Sequence, residues 1–410
     1  MSKYFFFGIL LSLFAVNAPA QYLKLFGNPD RHALYFNTDR LWSYNLYEHS
    51  RWGGGLRYSW NNAGATLKGI TSDVYLGYGT ADKRWKWGVN VDASLAKPIN
   101  WHLYASYFDD LIPVGTRHMD TYQLTDISSY TNFMSRRFST VRRLALGMRF
   151  NPSKTTSLGI EARLSSEYDL FHSDVVIYPA GQYDDFFLFH ARYAEALFSL
   201  QHNTDFKSQL LIFWAEGEGP VPNLRWLGQY SHAYKLGPFS MSLYSQAGIT
   251  TNHHVYYSRM FDLGGNMGSP VFFQRSLLTA APNEFTANTF ALVTARLGLT
   301  KPLFNIYNNL FRLGSSPRPF LQVGAAWGWL WGQDEYGHRL WAATPFNDLV
   351  LQSPYQGIFE GAAGVNALVK WGLVDWGIAA AYRLTPSSAA YHRQGAAANF
   401  TYMITATLSL

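Results

Sequence analysis

The sequence contains no cysteine, and only 15% of its residues are charged. The absence of cysteine excludes disulfide bonds, metal sites held by thiolates and cysteine nucleophiles. The low charge, combined with 48% hydrophobic residues, excludes a disordered chain. After Gln21 the sequence also lacks any run of 18 apolar residues, which excludes membrane-spanning helices. What is present is a folded body rich in aromatic side chains, at 17% of the residues.

The first 20 residues have the form of an export signal. Lys3 supplies a positive charge, Tyr4 to Val16 form an apolar stretch, and Ala18-Pro19-Ala20 is a small-x-small cleavage site. An N-terminal membrane anchor is the alternative, but about 20 apolar residues are needed to cross a bilayer. We therefore expect export with a cleaved signal peptide and a mature chain that begins at Gln21.

Apolar and polar residues alternate along the whole chain. The pattern is clear over 85–95, 158–165, 374–383 and 400–410. A soluble β-sandwich also alternates, but its strands usually have about five or six residues, whereas these run for about ten to sixteen. With an export signal and Trp and Tyr at strand ends, the pattern predicts an all-β protein. We expect a transmembrane antiparallel β-barrel of about 16 strands, with no separate soluble domain, in the outer membrane of a Gram-negative bacterium.

The expected strand count follows from parity, because bacterial single-chain barrels have an even number of strands. Counting back from Leu410 gives fifteen strands, and the weakly patterned segment 116–125 is taken as one more. The predicted organisation is a signal peptide over 1–20, a short periplasmic N-terminal segment over 21–43, and a barrel over 44–410 whose first strand is 44–60.

The same count assigns sides to the connections, since periplasmic turns are short and outer loops long. It places 126–139, 252–284 and 332–355 outside and Lys235 to Gly237 inside. The longest outer loop then lies between strands 11 and 12. This loop contains a glycine-rich motif with Gly264, Gly265, Asn266 and Gly268.

Sixteen strands, an amphipathic last strand and this long loop resemble the bacterial surface antigen superfamily, which includes outer-membrane assembly factors and two-partner secretion transporters. Several segments look like a Bacteroidota outer-membrane barrel family that usually carries a carboxypeptidase-regulatory-like domain: 44–48, 53–57, 75–79, 82–84, 106–111, 360–366 and 374–377. The superfamily pattern includes an Arg-Gly-Phe/Tyr motif in the long loop and periplasmic polypeptide-binding repeats before the barrel. This sequence has neither, so no functional arginine is carried over.

The sequence shows no catalytic, cofactor or metal constellation. The pairs Asp109-Asp110 and Asp184-Asp185 could serve a hydrolase, but adjacent residues of a strand point to opposite faces. His253-His254 lacks the spacing of a metal site. Charged residues on the polar faces are expected to line the lumen, and the candidates are Glu161, Arg163, His190, Arg192, Arg296 and Arg383.

We expect a non-enzymatic scaffold or accessory in the assembly or translocation of envelope proteins. A passive diffusion channel for small solutes is the alternative. The expected partners are outer-membrane lipids and lipopolysaccharide, with a possible periplasmic or outer-membrane protein at the barrel seam, where the candidates are Tyr402, Ile404, Leu408 and Leu410. No nucleic-acid partner is expected, since Arg136-Arg137 and Arg142-Arg143 are the only paired arginines and form no basic stripe.

Overall fold

A computed structural model describes the fold. The residues that it describes are 22–37, 40–45, 48–62, 66–95, 101–113, 137–172, 190–203, 205–216, 222–250, 261–262, 277–279, 286–308, 313–329, 355–371, 374–385 and 400–408. Within them lie 22 strands: β1 (Tyr22–Asn28), β2 (His32–Asn37), β3 (Trp42–Asn45), β4 (His49–Asn61), β5 (Leu67–Gly79), β6 (Trp85–Leu95), β7 (Trp101–Pro113), β8 (Arg137–Phe150), β9 (Thr156–His172), β10 (His190–His202), β11 (Phe206–Ala215), β12 (Asn223–Leu236), β13 (Phe239–Thr250), β14 (Phe261–Asp262), β15 (Thr286–Ala287), β16 (Thr289–Leu299), β17 (Ile306–Asn308), β18 (Leu313–Ser315), β19 (Arg318–Trp329), β20 (Tyr355–Trp371), β21 (Val374–Arg383) and β22 (Phe400–Leu408).

Apolar and polar side chains alternate along the strands as the sequence predicts. The apolar side chains are exposed and the polar ones buried, which is the reverse of a soluble protein. In β6, Trp85 and Trp87 are exposed, whereas Lys86 is 2% exposed and Asn90 is buried. Such a strand is stable only if its exposed side meets lipid and its buried side meets other polar side chains. We call the exposed apolar side the outward face and the buried side the inward face. The fold is a transmembrane antiparallel β-barrel, as expected.

One sheet contains 20 of the strands, and its neighbours follow chain order in antiparallel pairs. β2 and β3 both pair with β4 and together form one interrupted strand. β17 and β18 form a short hairpin beside β20, and β1 folds back on β2. Setting aside the short additions β1, β3, β17 and β18 leaves sixteen strands within the described residues, the number that the sequence predicts.

The composition of the sixteen differs from the prediction at the front of the chain. The segment 44–60 is not one strand, because β3 and β4 form a hairpin with Trp42 opposite Trp52. β7 pairs directly with β8 from Trp101 to Pro113, and the expected strand 116–125 lies outside the described residues. The missing strand is instead β2 with β3, in the region expected to be a periplasmic segment. Its alternation is interrupted at residues 38–41, which is why the sequence pattern did not reveal it.

The connections separate onto two edges of the sheet. The turn edge carries the short connections 151–155, 203–205 and 237–238, and the loop edge carries the long connections 114–136, 251–288 and 330–354. This grouping agrees with the predicted separation of short turns from long loops except at the connection 300–317, which contains β17 and β18 and lies at the turn edge. It places the connection between β13 and β16, which are strands 11 and 12 of the sixteen, at the loop edge.

Candidate functional site

Part of the long connection between β13 and β16 lies against the inward face. Its described residues are 261–262 and 286–288, which include the short ribbon of β14 and β15, and the segment 277–279. All of their side chains for which exposure is given are buried. Because the connection starts and ends at the loop edge, these residues have returned from that edge into the barrel interior. We call 277–279 the inserted segment.

The inserted segment is held by two charged side chains of neighbouring strands. Glu360 of β20 and Arg383 of β21 are cross-strand partners and are each 1% exposed. The Glu360 carboxylate accepts hydrogen bonds from the backbone N–H of Leu278 at 2.6 Å, the N–H of Thr279 at 2.8 Å and the Thr279 hydroxyl at 2.5 Å. Arg383 donates to the Thr279 hydroxyl at 3.2 Å and to the Thr279 carbonyl oxygen. The pair thereby satisfies both the donors and the acceptor of Thr279.

These hydrogen bonds matter because an unpaired buried backbone group costs about 1–3 kcal/mol. A buried carboxylate is also expensive unless it is paired and hydrogen-bonded. Glu360 and Arg383 each lose their solvation in this interior, and the inserted segment replaces part of it. The segment and the two side chains therefore stabilise one another, and removal of either component leaves the other with unmet hydrogen bonds.

Apolar contacts anchor the connection at two further points. Phe261 and Leu277 belong to one buried cluster with Leu227, Tyr244, Phe290, Leu292, Ala326 and Ile358 from the surrounding strands. The Phe261 ring lies 4.8 Å from that of Phe290, and the guanidinium of Arg225 stands 4.4 Å from its centre. The interior on this side is thus filled by apolar packing with a cation over one ring.

Two glycines on neighbouring strands provide the space that Phe261 and Leu277 occupy. A Cβ at Gly324 would lie 3.1 Å from Leu277 and 3.2 Å from Glu360. A Cβ at Gly248 would lie 2.6 Å from Phe290 and 2.8 Å from Phe261. Each distance is shorter than ordinary carbon contact, so a side chain here would push the connection away from the strands. These positions need glycine for close approach rather than for a special backbone angle.

A different arrangement fills the inward face between β4 and β7. Lys86 contacts Glu48 at 2.5 Å and also Asp82, while Arg51 contacts Glu48 at 2.8 Å and Asp110 at 2.7 Å. The Tyr75 hydroxyl donates to Asp110 at 2.7 Å, and Arg40 lies over the Tyr75 ring. We call this set the front network: Arg40, Glu48, Arg51, Tyr75, Asp82, Lys86 and Asp110. Its carboxylates alternate with cations, which reduces the cost of burying them.

A second set of buried carboxylates follows on β9 and β10. Glu161 accepts a hydrogen bond from the Tyr104 hydroxyl at 2.7 Å and pairs with Arg163. Glu167 accepts from Ser139 at 2.6 Å and Glu195 from Ser165 at 2.8 Å. These contacts connect β9 with β7, β8 and β10 along the interior wall.

The predicted lumen residues divide into three groups. Glu161, Arg163, Arg296 and Arg383 are buried on the inward face, and Arg296 stacks 3.5 Å from the centre of the Phe320 ring. Arg192 differs from the prediction, because its side chain is 62% exposed beside Glu216 on the outward parity of β10. The side chain of His190 lies outside the described residues. Glu195, three positions beyond Arg192, is on the buried parity instead.

The remaining candidates concern the long loop and the seam. Gly264, Gly265, Asn266 and Gly268 lie outside the described residues, as do the side chains of Ile404 and Leu408 and the whole of Leu410. Tyr402 is described and is exposed.

The seam strand opposite β22 is not 44–60, since β4 has neighbours on both sides. Among the described residues the ends of the strand order are β22, beside β21, and β1, beside β2.

The aspartate pair behaves as the strand geometry requires. Asp110 points inward to Arg51, whereas Asp109 is on the other face and pairs with Arg142 at 2.7 Å. The part of the chain that the structure describes contains no group of three His, Asp or Glu residues placed to hold a metal ion. In the same residues, no helix has the length and apolar character needed to cross a membrane.

Sequence reasoning missed Thr279 and the role of Glu360. Glu360 is in the predicted segment 360–366, but only as part of a resemblance. Its position among inward apolar residues, two places after the buried Ile358, is the one local signal that could have singled it out. Its partners are 81 and 82 positions away along the chain, a distance at which no spacing rule applies.

Comparison with known proteins agrees on the fold. BamA from Haemophilus ducreyi lacking POTRA domains 1–3 is similar with a TM-score of 0.50 and 10% identity, over 99% of this chain and 78% of that chain. CdiB from Escherichia coli has a TM-score of 0.42 and 11% identity, covering 98% and 69%. OprD from Pseudomonas aeruginosa has a TM-score of 0.33 and 10% identity, covering 94% and 93%. The likeness to BamA is one of fold alone.

Neither a protein-family model nor a curated protein sequence matches the chain. The sequence resemblance to the Bacteroidota barrel family is therefore not confirmed. Sequence and structure agree on a β-barrel of the outer-membrane type. Part of the connection between β13 and β16 lies in its interior.

Proposed function

We propose that this chain is an outer-membrane barrel of the surface antigen type, exported with a cleaved signal peptide, which acts without enzymatic activity in the assembly or translocation of envelope proteins. The observation that carries the proposal is the inserted segment held by Glu360 and Arg383. The inserted segment lies against the inward face and narrows the interior of the barrel. A barrel that handles a polypeptide needs an interior element that keeps small solutes out.

The proposed working part of the protein is a gated interior. The carboxylate and guanidinium bind three backbone groups of the inserted segment as well as the Thr279 hydroxyl. An extended polypeptide presents the same backbone N–H and C=O groups and could compete for them.

The seam is the proposed site for a partner or substrate strand. β1 and β22 are the outer strands of the described order, and an edge strand offers a row of backbone donors and acceptors. Leu23, Leu25 and Phe26 of β1 are exposed beside that edge. The partners we propose are a periplasmic or outer-membrane protein at the seam and, around the barrel, membrane lipids and lipopolysaccharide.

Conductance of the purified chain in planar bilayers tests the proposal. The wild type should conduct small ions poorly, and Glu360→Ala should raise the conductance because the inserted segment loses its acceptor. Thr279→Val, which removes one hydroxyl and keeps the backbone contacts, is the milder companion and should have a smaller effect. Free conductance by the wild type, unchanged by either substitution, would replace the proposal with the diffusion channel.

Co-purification from native membranes supplies the second measurement. The proposal expects a stable protein partner that is lost when cysteines in β1 and β22 are crosslinked. If the crosslinked seam leaves partner binding and every envelope phenotype unchanged, the seam is not the site of interaction.

A further inference from the structure

A polar cluster interrupts the outward face near the turn edge. Tyr230, His232 and Tyr234 alternate along β12 and therefore share a face, and Leu227, of the opposite parity, is buried. Asp205, in the turn before β11, joins them. We call these four residues the turn-edge cluster. Barrels carry tyrosine at this level in general, but an Asp carboxylate in contact with a His among the rings is not part of a simple aromatic girdle.

The cluster is held together by defined contacts. Nδ1 of His232 lies 2.8 Å from the Asp205 carboxylate, and the two tyrosine hydroxyls lie 3.3 Å apart. The His232 ring is 4.4 Å from that of Tyr234 at an angle of 61°, and it is nearly parallel to that of Tyr230. All four side chains remain partly accessible. The arrangement is therefore fixed by its own contacts and open to a ligand.

The chemistry of the cluster is that of a site for an ammonium ion. When Nδ1–H donates to Asp205, Nε2 of His232 is left as a hydrogen-bond acceptor. The carboxylate and the two phenol oxygens are further acceptors, and the tyrosine faces attract a cation. Asp205 contributes a negative charge to the cluster. A primary ammonium can pair with the negative charge and also donate hydrogen bonds to the acceptors. A trimethylammonium carries the charge but has no N–H donors.

The position of the cluster identifies the source of such an ammonium. Directly opposite Tyr230, His232 and Tyr234 on the adjacent strands stand Phe206, Leu243 and Met241, which share the outward face. A ligand bound here would place its polar end on the cluster, with these three apolar side chains beside it at the same level and its apolar part directed toward the middle of the strands. We propose that the turn-edge cluster binds the ammonium of an ethanolamine phospholipid whose acyl chains lie along β11 to β13.

Native mass spectrometry of the full chain, exchanged into mixed vesicles of phosphatidylethanolamine and phosphatidylcholine, tests the site. The wild type should retain the ethanolamine lipid in preference to the choline lipid. Asp205→Asn should reduce that preference by about tenfold, as expected for the loss of one charge-assisted contact. Tyr234→Phe, which removes one acceptor and keeps the ring, should reduce it less.

Two substitutions serve as matched controls. Asp375→Asn removes a carboxylate near the same edge that pairs with Lys370, and Tyr78→Phe removes an outward-face phenol near the opposite edge. Both should keep the wild-type preference, and gel mobility before and after heating shows that each variant is folded. Equal retention of the two lipids by the wild type, or a preference that survives Asp205→Asn, would overturn the proposal.

Discussion

Between β4 and β7 the inward face is filled by charged side chains of the strands and their hairpins, whereas between β12 and β21 it is filled by a connection that has entered from the loop edge. Lys86 and Arg51 bind carboxylates that are close in the sheet. Glu360 and Arg383 instead bind backbone groups of a distant segment. The first arrangement fastens neighbouring strands together, and the second fastens a removable element to the wall.

This difference indicates which part of the barrel interior can move. Opening the front network would leave several charges buried without partners, which the low-dielectric interior opposes. Withdrawing the inserted segment would break its hydrogen bonds and the packing of Leu277, but Glu360 and Arg383 would remain as cross-strand partners of opposite charge. We therefore expect the front network to be the fixed side of the barrel and the inserted segment the adjustable side.

The largest expected effect comes from the front network. Lys86→Met keeps the length of the side chain but leaves Glu48 and Asp82 without their shared cation. The free energy of unfolding should fall by about 3–5 kcal/mol, as for other broken buried pairs. Urea titration of the chain in liposomes measures it. Lys370→Met, whose partner Asp375 is 3.6 Å away at a more accessible site, is the control and should lose much less.

The next effect checks that the outward face meets lipid. Val74, in the middle of β5, is 49% exposed, whereas Thr71 lies on the inward parity opposite Ser59 and Asp92. Val74→Arg should destabilise the barrel by about 2–4 kcal/mol, as a charge at the bilayer midplane does. Thr71→Arg can pair with Asp92 and should be tolerated better. Equal loss of heat-modifiable folded protein in the two variants would contradict the assigned faces.

A smaller and more local effect is expected at the inserted segment. Glu360→Gln keeps one oxygen acceptor but loses the charge and the second oxygen, so the segment should be less stably held by about 1–3 kcal/mol. Limited proteolysis should cleave the connection 251–288 faster while global unfolding changes little. Glu216→Gln, at an exposed pair with Arg192, serves as the control. A global loss as large as that of Lys86→Met would remove the distinction between a fixed and an adjustable side.

The smallest effect belongs to an ion pair on the outward face. Arg142, whose side chain is 57% exposed, contacts Asp109 at 2.7 Å. The pair lies near the loop edge, and pairs that water and salt can reach contribute only about 0.2–1 kcal/mol. Arg142→Ala should therefore change the unfolding midpoint slightly, and the change should shrink at high salt. A salt-independent loss comparable with that of Lys86→Met would mean that this pair is sheltered like the front network.

Much of the fold could be predicted from the sequence because alternation is a local property. Residues 85–95 and 374–383 show their two faces without knowledge of any neighbour. Arg163 and Arg383 were assigned to the inward face on that basis, and both are buried. Arg192 was assigned wrongly because its partner His190 gave no independent indication of which parity of β10 is polar. The interrupted strand of β2 and β3 was missed because its two halves are each too short to show the pattern.

The sequence by itself determined a cysteine-free chain with the form of an export signal and with strands that are apolar on one face and polar on the other. The two faces follow from the sequence because side chains of a strand alternate whatever strand it pairs with. Only the tertiary structure decided that Glu360 stands beside Arg383, that both reach Thr279, and that Asp205 meets His232. These contacts depend on register between strands and on the return of a distant connection. Neither is encoded in local periodicity, because the same alternation is compatible with many registers and many loop paths.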